Sequence, residues 1–219
     1  VRGVGLASRR LYQWLSADSL KAALRAQGLT PLMEELRAIV PDLSEQYTDG
    51  PEGSEFDAYW EIKIRGLHAF QVSAALEALN HLPGDDHVVV DIGDSSGTHA
   101  AYIKGLAQPG KISRVISVNM DPVAVEKVTR RGGDALRCRA EELELPDGIK
   151  PSLFLSFETL EHLTDPLRFL HRLAQQGDAE NLLFTVPLQR RSRFGGHHLR
   201  TPDASDTPFT PESLHIYEF

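Results

Sequence analysis

The sequence predicts a doubly wound, mainly parallel α/β sheet preceded by a helical extension. Three observations carry that prediction. From Val88 onward, short β-branched runs alternate with stretches of helical period, the order that joins parallel strands through crossover helices. Val88-Val89-Val90 is apolar without interruption, as in a strand covered on both faces. Up to about residue 82 the chain reads as helical, with little glycine outside the connections. We therefore expect residues 1–82 to form a helical cap or extension and residues 83–219 to form the sheet domain.

Taken in order, Ser8 to Arg25 and Leu32 to Ile39 read as short helices separated by Gly28 and Pro31. Gln46 to Ser54 contains Thr-Asp-Gly-Pro-Glu-Gly and is a loop by its turn chemistry. A long helix follows from about Glu55 to Leu82. Trp60, Ile64, Leu67, Phe70, Ala74 and Ala78 recur at steps of three and four, which predicts that they form the packed face. Glu61, Arg65, Ser73, Glu77 and Asn80 fall mostly on the opposite side, and Pro83-Gly84 ends the helix. The sheet region then offers strands at Val88–Val90, Val115–Val118, Ala135–Cys138, Leu153–Phe157 and Asn181–Val186. Between them lie helices at Thr98–Leu106, Val123–Arg131 and Pro166–Gln175.

The bulk composition narrows the function. Charged residues make up 25% and hydrophobic ones 41%, an ordinary globular balance. A formal net charge of -8 argues against a broad nucleic-acid surface, because phosphate binding needs a basic face. The one concentration of positive charge, Arg190-Arg191-Ser192-Arg193 with Arg200, reads as a solvated loop. No stretch approaches the roughly 18 apolar residues of a membrane span. Cys138 is the only cysteine, so an intramolecular disulfide is excluded and a reducing, cytoplasmic setting is expected.

In sheets of this kind ligands bind beyond the carboxyl ends of the strands, so the segments that follow strands are the candidate site. Asp91-Ile92-Gly93-Asp94-Ser95-Ser96-Gly97-Thr98 places an acid before two glycines and a helix start. Gly93 is expected to let the backbone approach a ligand, and the helix after Gly97 to offer N–H groups to an anion. A carboxylate at Asp91 suits a cofactor bearing a cationic ammonium or sulfonium, whereas a dinucleotide fingerprint Gly-x-Gly-x-x-Gly is missing. After the second strand come Asn119, Met120, Asp121 and Pro122. Asn119 is expected at a ribose, and Asp121 before Pro122 has the pattern of a helix cap. Arg139-Ala140-Glu141-Glu142 follows the third strand, where backbone groups near Ala140 and an acid such as Glu141 can read an adenine edge, or alternatively the side chains form a solvated acidic loop. Glu158-Thr159-Leu160-Glu161-His162 follows the fourth. Histidine as a residue type titrates near neutrality, so His162 is a candidate general base, or alternatively a histidine that fixes the loop. The glycine-flanked pair His197-His198 near Arg200 suggests contact with a polar substrate. Adjacent histidines do not easily ligate one metal, and no metal set is expected.

In this order the segments resemble class I S-adenosylmethionine-dependent methyltransferases, particularly the small-molecule branch that includes ubiquinone-biosynthesis-type enzymes. The likeness runs from about Asp86 to Phe219, and Phe157 to Leu163 is its most specific part. It implies a Rossmann-like methyltransferase fold and S-adenosylmethionine held by Asp91, Gly93, Asp94, Ser95, Gly97, Asn119, Met120, Asp121, Ala140, Glu141 and Glu158. It further implies SN2 methyl transfer to a small-molecule acceptor, such as a sugar or natural product, with His162 or His198 as the base if one is needed. Three positions depart from the pattern: Ser95 replaces the middle glycine, Asn119 the usual ribose acid, and Arg139 an acid common near the adenine. The closing hairpin of that family's sheet is expected to be missing, since the sequence stops at Phe219. An NAD(P)-dependent oxidoreductase and a non-catalytic subunit that kept the fold are the alternatives.

Overall fold

The structure, a computed structural model, describes residues 2–44, 46, 58–176 and 181–188. His198, the basic Arg190–Arg200 stretch and the residues beyond Leu188 lie outside them. Three helices come first: α1 (Arg2–Ala26), α2 (Thr30–Ile39) and α3 (Ala58–His81). The sheet region runs β1 (His87–Ile92), α4 (Thr98–Leu106), β2 (Ile112–Asn119), α5 (Pro122–Arg130) and β3 (Asp134–Arg137). It continues with β4 (Leu153–Phe157), α6 (Pro166–Gln176) and β5 (Leu182–Thr185). The strands lie in the order β3-β2-β1-β4-β5, and every pairing is parallel.

Period-two alternation along the strands sorts the core into two layers. Val90, Ile92, Ile116, Val118 and Phe154 point to one face and pack with Phe169 and Leu173 of α6. Val89, Val115, Leu153 and Leu155 point to the other and pack with Ala100 and Ile103 of α4. Ala75 and Leu79 of α3 join that second cluster, so the third helix lies against the sheet. A further cluster of Leu24, Leu29, Met33, Leu36, Ala69, Val72 and Tyr102 stacks α1 and α2 onto α3 and α4. Among the described residues, no helix is long and apolar enough to cross a membrane.

The face expected for α3 is only partly right: Ile64 is buried and Ala78 packs against the second cluster, but two of its large residues are exposed. Leu67 is 40% and Phe70 49% exposed, whereas Arg65 is 0% exposed. The buried stripe is Ile64, Arg65, His68, Ala69, Gln71, Val72, Ala75 and Leu79. The error has a physical cause, because a polar residue can be buried when its hydrogen bonds are met inside. Arg65 donates to the carbonyls of Val40 (2.9 Å) and Pro41 (3.2 Å), to the Tyr102 hydroxyl (3.2 Å) and to Glu61 (3.0 Å). A guanidinium with those acceptors ties α2, α3 and α4 together. A count of apolar residues does not see it.

Candidate functional site

β1 ends at the point where the strand order reverses, with β2 and β3 on one side and β4 and β5 on the other. Asp91 sits opposite Ser117 of β2 and Leu155 of β4. Its carboxylate is 1% exposed, and Oδ2 has no hydrogen-bond partner. Burial, reinforced by the charge of Asp94 and opposed by His99, pushes its pKa up to about 8.

Asp94 is tied into the fold. It accepts from the backbone N–H of His99 (3.3 Å) and Ala100 (3.4 Å) and from the Ser117 hydroxyl (2.8 Å). Those two N–H groups belong to the first turn of α4, the turn expected to receive an external anion. That expectation is corrected, because an internal carboxylate already occupies the orphan donors. Gly93 and Gly97 also have packing reasons. Gly93 has φ +90°, and a Cβ on it would stand 2.1 Å from Thr159 Oγ1. Gly97 has φ +79° and faces Val128 Cγ2 at 3.0 Å from the same ideal position. The space at Gly93 is taken by Thr159, whose hydroxyl donates to the carbonyls of Ile92 (3.2 Å) and Phe157 (3.1 Å).

Ser95, in place of the middle glycine, donates its hydroxyl to the Gln46 carbonyl at 2.5 Å, holding the segment after α2 over this loop. Asn119 lies beside it: Nδ2 donates to the Ser95 carbonyl at 3.5 Å, and Oδ1 accepts from Asp121 N–H at 2.9 Å. The amide expected at a ribose is thus also a brace between two loops. Asp121 caps α5, accepting from Val123 N–H at 2.8 Å as Asp-Pro implied. Met120 follows Asn119, half-buried. Ala140 and Glu141 lie in a single 3-10 turn after β3. Glu141 receives Thr164 N–H (3.3 Å) and its hydroxyl (3.4 Å), so its carboxylate links this turn to the end of the next loop.

After β4 the backbone of Glu158 takes a left-handed φ of +51°, a conformation that costs a non-glycine residue about 1–3 kcal/mol. A 3-10 turn, Leu160–His162, follows. Glu161 is 1% exposed with neither carboxylate oxygen hydrogen-bonded. Burial, with a smaller push from Glu158, raises its pKa to about 7. His162 Nε2 lies 3.8 Å from Glu161 Oε1.

The sequence reading missed the interior side of the site. His99 of α4 has Nδ1 at 3.7 Å from Asp94 Oδ1 and 3.9 Å from Asp91 Oδ2. Its Nε2–H donates to Gln71 Oε1 at 3.1 Å, and Gln71 Nε2 donates to Thr185 Oγ1 of β5 at 3.1 Å. The His68 ring meets His99 edge-on, with centroids 4.7 Å apart, and accepts from Gln46 Nε2 at 2.9 Å. Phe157 closes another side. Two signals were on the page: a histidine in the first turn after Gly97, and His68 and Gln71 three apart in the least charged stretch of α3.

An all-parallel sheet with a buried carboxylate at its reversal point defines the class of protein here: a doubly wound α/β domain whose candidate site lies at that reversal. Among known proteins, residues 90–182, from β1 to the start of β5, match a family model described as a methyltransferase domain. No curated protein matches the sequence. Among solved structures, a Haloferax volcanii complex of the Trm112 methyltransferase activator with a methyltransferase is 22% identical, covering 60% of this chain and 58% of its own (TM-score 0.45). A SAM-dependent methyltransferase from Aquifex aeolicus is 20% identical, covering 59% and 70% (TM-score 0.45). The sugar N-methyltransferase KedS8 from Streptoalloteichus is 12% identical, covering 68% and 62% (TM-score 0.49). The chain spans 58% and 51% of the length of the first two structures it matches.

The donor set fits the cofactor at one end. The unpartnered carboxylate oxygen of Asp91 is an acceptor held out of water, which favours a cationic hydrogen-bond donor as its complement.

Proposed function

We propose that this chain transfers the methyl group of S-adenosylmethionine to a small-molecule acceptor, as an enzyme of the ubiquinone-biosynthesis-type branch. The observation that carries the reading is the buried Asp91 carboxylate at the sheet's reversal point, whose Oδ2 has no hydrogen bond. The Glu158-Thr159-Leu160-Glu161-His162 segment at the end of β4 supports the branch. When bound, the cofactor supplies a methyl group already activated by a sulfonium. What this chain's residues supply is alignment and the exclusion of water. Asp91 receives the cofactor's ammonium, and Thr159, locked on Gly93, holds the glycine loop against the β4 loop. Asn119 and Ser95 stand at the ribose end and Ala140–Glu141 at the adenine end.

A base is needed only for an acceptor that must lose a proton. His162, beside a Glu161 poised near neutrality, is then the group placed to accept it at a ring nitrogen. His198 is the second candidate. The acidic net charge supports a small molecule over a nucleic acid, and sugars and natural-product scaffolds head the acceptor panel. Calorimetry with S-adenosylmethionine and S-adenosylhomocysteine tests the first step, on a chain carrying the flanking sequence. Mass-shift assays over sugar, phenol and amine acceptors test the second. Absence of heat with both ligands would sink the reading. Binding without turnover on any acceptor would move it to a non-catalytic subunit.

A further inference from the structure

Both ring nitrogens of His99 face acceptor atoms. Nε2 is 3.1 Å from Gln71 Oε1, whose amide is oriented by the Thr185 contact. Nδ1 looks at the carboxylates of Asp94 and Asp91, at 3.7 and 3.9 Å. With Nε2–H committed to Gln71, a neutral ring would turn the lone pair of Nδ1 toward two carboxylates, with no donor between them. The reactive atoms of Asp91, Asp94 and His99 all lie within 4.8 Å of one another, and all three residues are buried. Water cannot screen this arrangement, so an unshared negative charge there is costly. Asp94 already takes three hydrogen bonds, whereas Asp91 Oδ2 takes none. The two groups left to settle the charge are Asp91 and His99.

We propose that Asp91 and His99 share one proton, and that this proton passes to His99 when a cationic ligand group reaches Asp91. The inference rests on the reading of Asp91 as the residue that receives the cofactor's ammonium. In the empty site the proton sits on Asp91 and cancels the repulsion from Asp94. When a ligand ammonium arrives, the O–H bond of Asp91 breaks and an N–H bond forms at His99 Nδ1. The carboxylate then faces the ammonium and the imidazolium faces Asp94. An N–H···O contact is about 2.9 Å, so about an ångström of side-chain movement closes the gap. Site and ligand gain their complementary charges with no net proton exchanged with solvent.

The environment of His99 is suited to that task from each side. The carboxylates come from β1 and the glycine loop, and β4 contributes the ring of Phe157. From α3 come His68 and, behind it, Arg65. Burial, with the positive neighbours His99 and Arg65, holds the His68 pKa well below the ordinary histidine value, so His68 adds no competing charge. Burial also opposes the charging of His99, but the carboxylates of Asp94 and Asp91 outweigh it and raise its pKa. The surroundings of both Asp91 and His99 thus favour the protonated form.

The test is proton linkage measured by calorimetry of S-adenosylhomocysteine binding at pH 7, in buffers of different ionisation enthalpy. The wild-type chain is expected to release close to no protons. His99→Asn removes the internal acceptor, so binding is expected to release about one proton. The affinity of that variant then rises with pH, by up to tenfold per unit below the pKa of Asp91. In 15N-histidine-labelled wild-type protein, the His99 ring is expected to move from a neutral to an imidazolium pattern on adding the ligand, a readout that needs no variant to fold. Equal proton release by wild type and variant, or an unchanged His99 spectrum, overturns the proposal while leaving the cofactor reading intact. Absence of binding by the wild type fails both. Zinc or manganese that raises Tm in the wild type but not in His99→Asn would assign the space between the three groups to a metal and overturn it as well.

Discussion

At the scale of single residues, the site sets ligand binding against stability at Asp91. An uncharged amide at this position keeps the volume and removes the charge that burial disfavours. Asp91→Asn is therefore expected to weaken S-adenosylhomocysteine about 10- to 100-fold, the worth of one charge-assisted hydrogen bond, measured by calorimetry. The same variant should melt higher than wild type at pH 8.5. A loss of both binding and stability would show that the carboxylate serves the fold. Gly93 is the second such position, and two independent costs meet there. Its φ of +90° strains any side chain, and a Cβ would collide with Thr159. Gly93→Ala should lose more than about 1 kcal/mol of stability in denaturant melts. Adding Thr159→Ala should recover only part of it, since the clash goes and the φ remains.

At the scale of elements, what was legible in the sequence followed from how local each signal is. Thr98–Leu106 and Leu153–Phe157 have the boundaries read from the residues, because a glycine start and an apolar run are signals within one segment. Asp121 before Pro122 announced its own cap. α3 was located but its packed face was not, because that face depends on partners far away in the chain. Arg65 is interior only because Val40, Pro41 and Tyr102 meet it, and Gln71 only because His99 and Thr185 do. The same reason hid the inner half of the site, while Asp91, Asn119 and Glu158 were visible as polar residues directly after strands. The correction is open to measurement. Phe70→Ser, at the exposed position, should change stability by under about 1 kcal/mol. Leu79→Ala, at a buried position outside the periodic face, should cost about 2–5 kcal/mol. Reversal of that order in chemical denaturation would reinstate the periodic face.

At the scale of the whole molecule, the buried Asp91–His99 pair and the buried Glu161 give pH dependence one direction. Asp91 and Glu161 hold protons in the fold to about 8 and about 7, well above the ordinary carboxylate range. The folded chain therefore binds more protons than the unfolded one between that range and those values, and stability falls as pH rises through them. His99, whose pKa the neighbouring carboxylates raise, shares the proton of Asp91 and acts in the same direction. The signs agree, so Tm should decline from about pH 5 to pH 8.5. Glu161→Gln should raise Tm at pH 8.5 by about 2–4 °C for each kcal/mol relieved and leave it nearly unchanged at pH 5. A flat profile in wild type would mean that these carboxylates reach solvent.

The packing of α3 against the sheet also bears on how the chain is made. Ala75 and Leu79 find their partners in Leu153 and Leu155 of β4, about 75 residues further along. At synthesis rates of about 5–20 residues per second, the third helix leaves the ribosome roughly 4 to 15 s before the strand that covers it. During that interval β1, β2 and α4 are already available to the inner stripe, but the side of it that meets β4 is uncovered. The hydrogen bond of Gln71 to Thr185 waits longer still, until β5 pairs with β4.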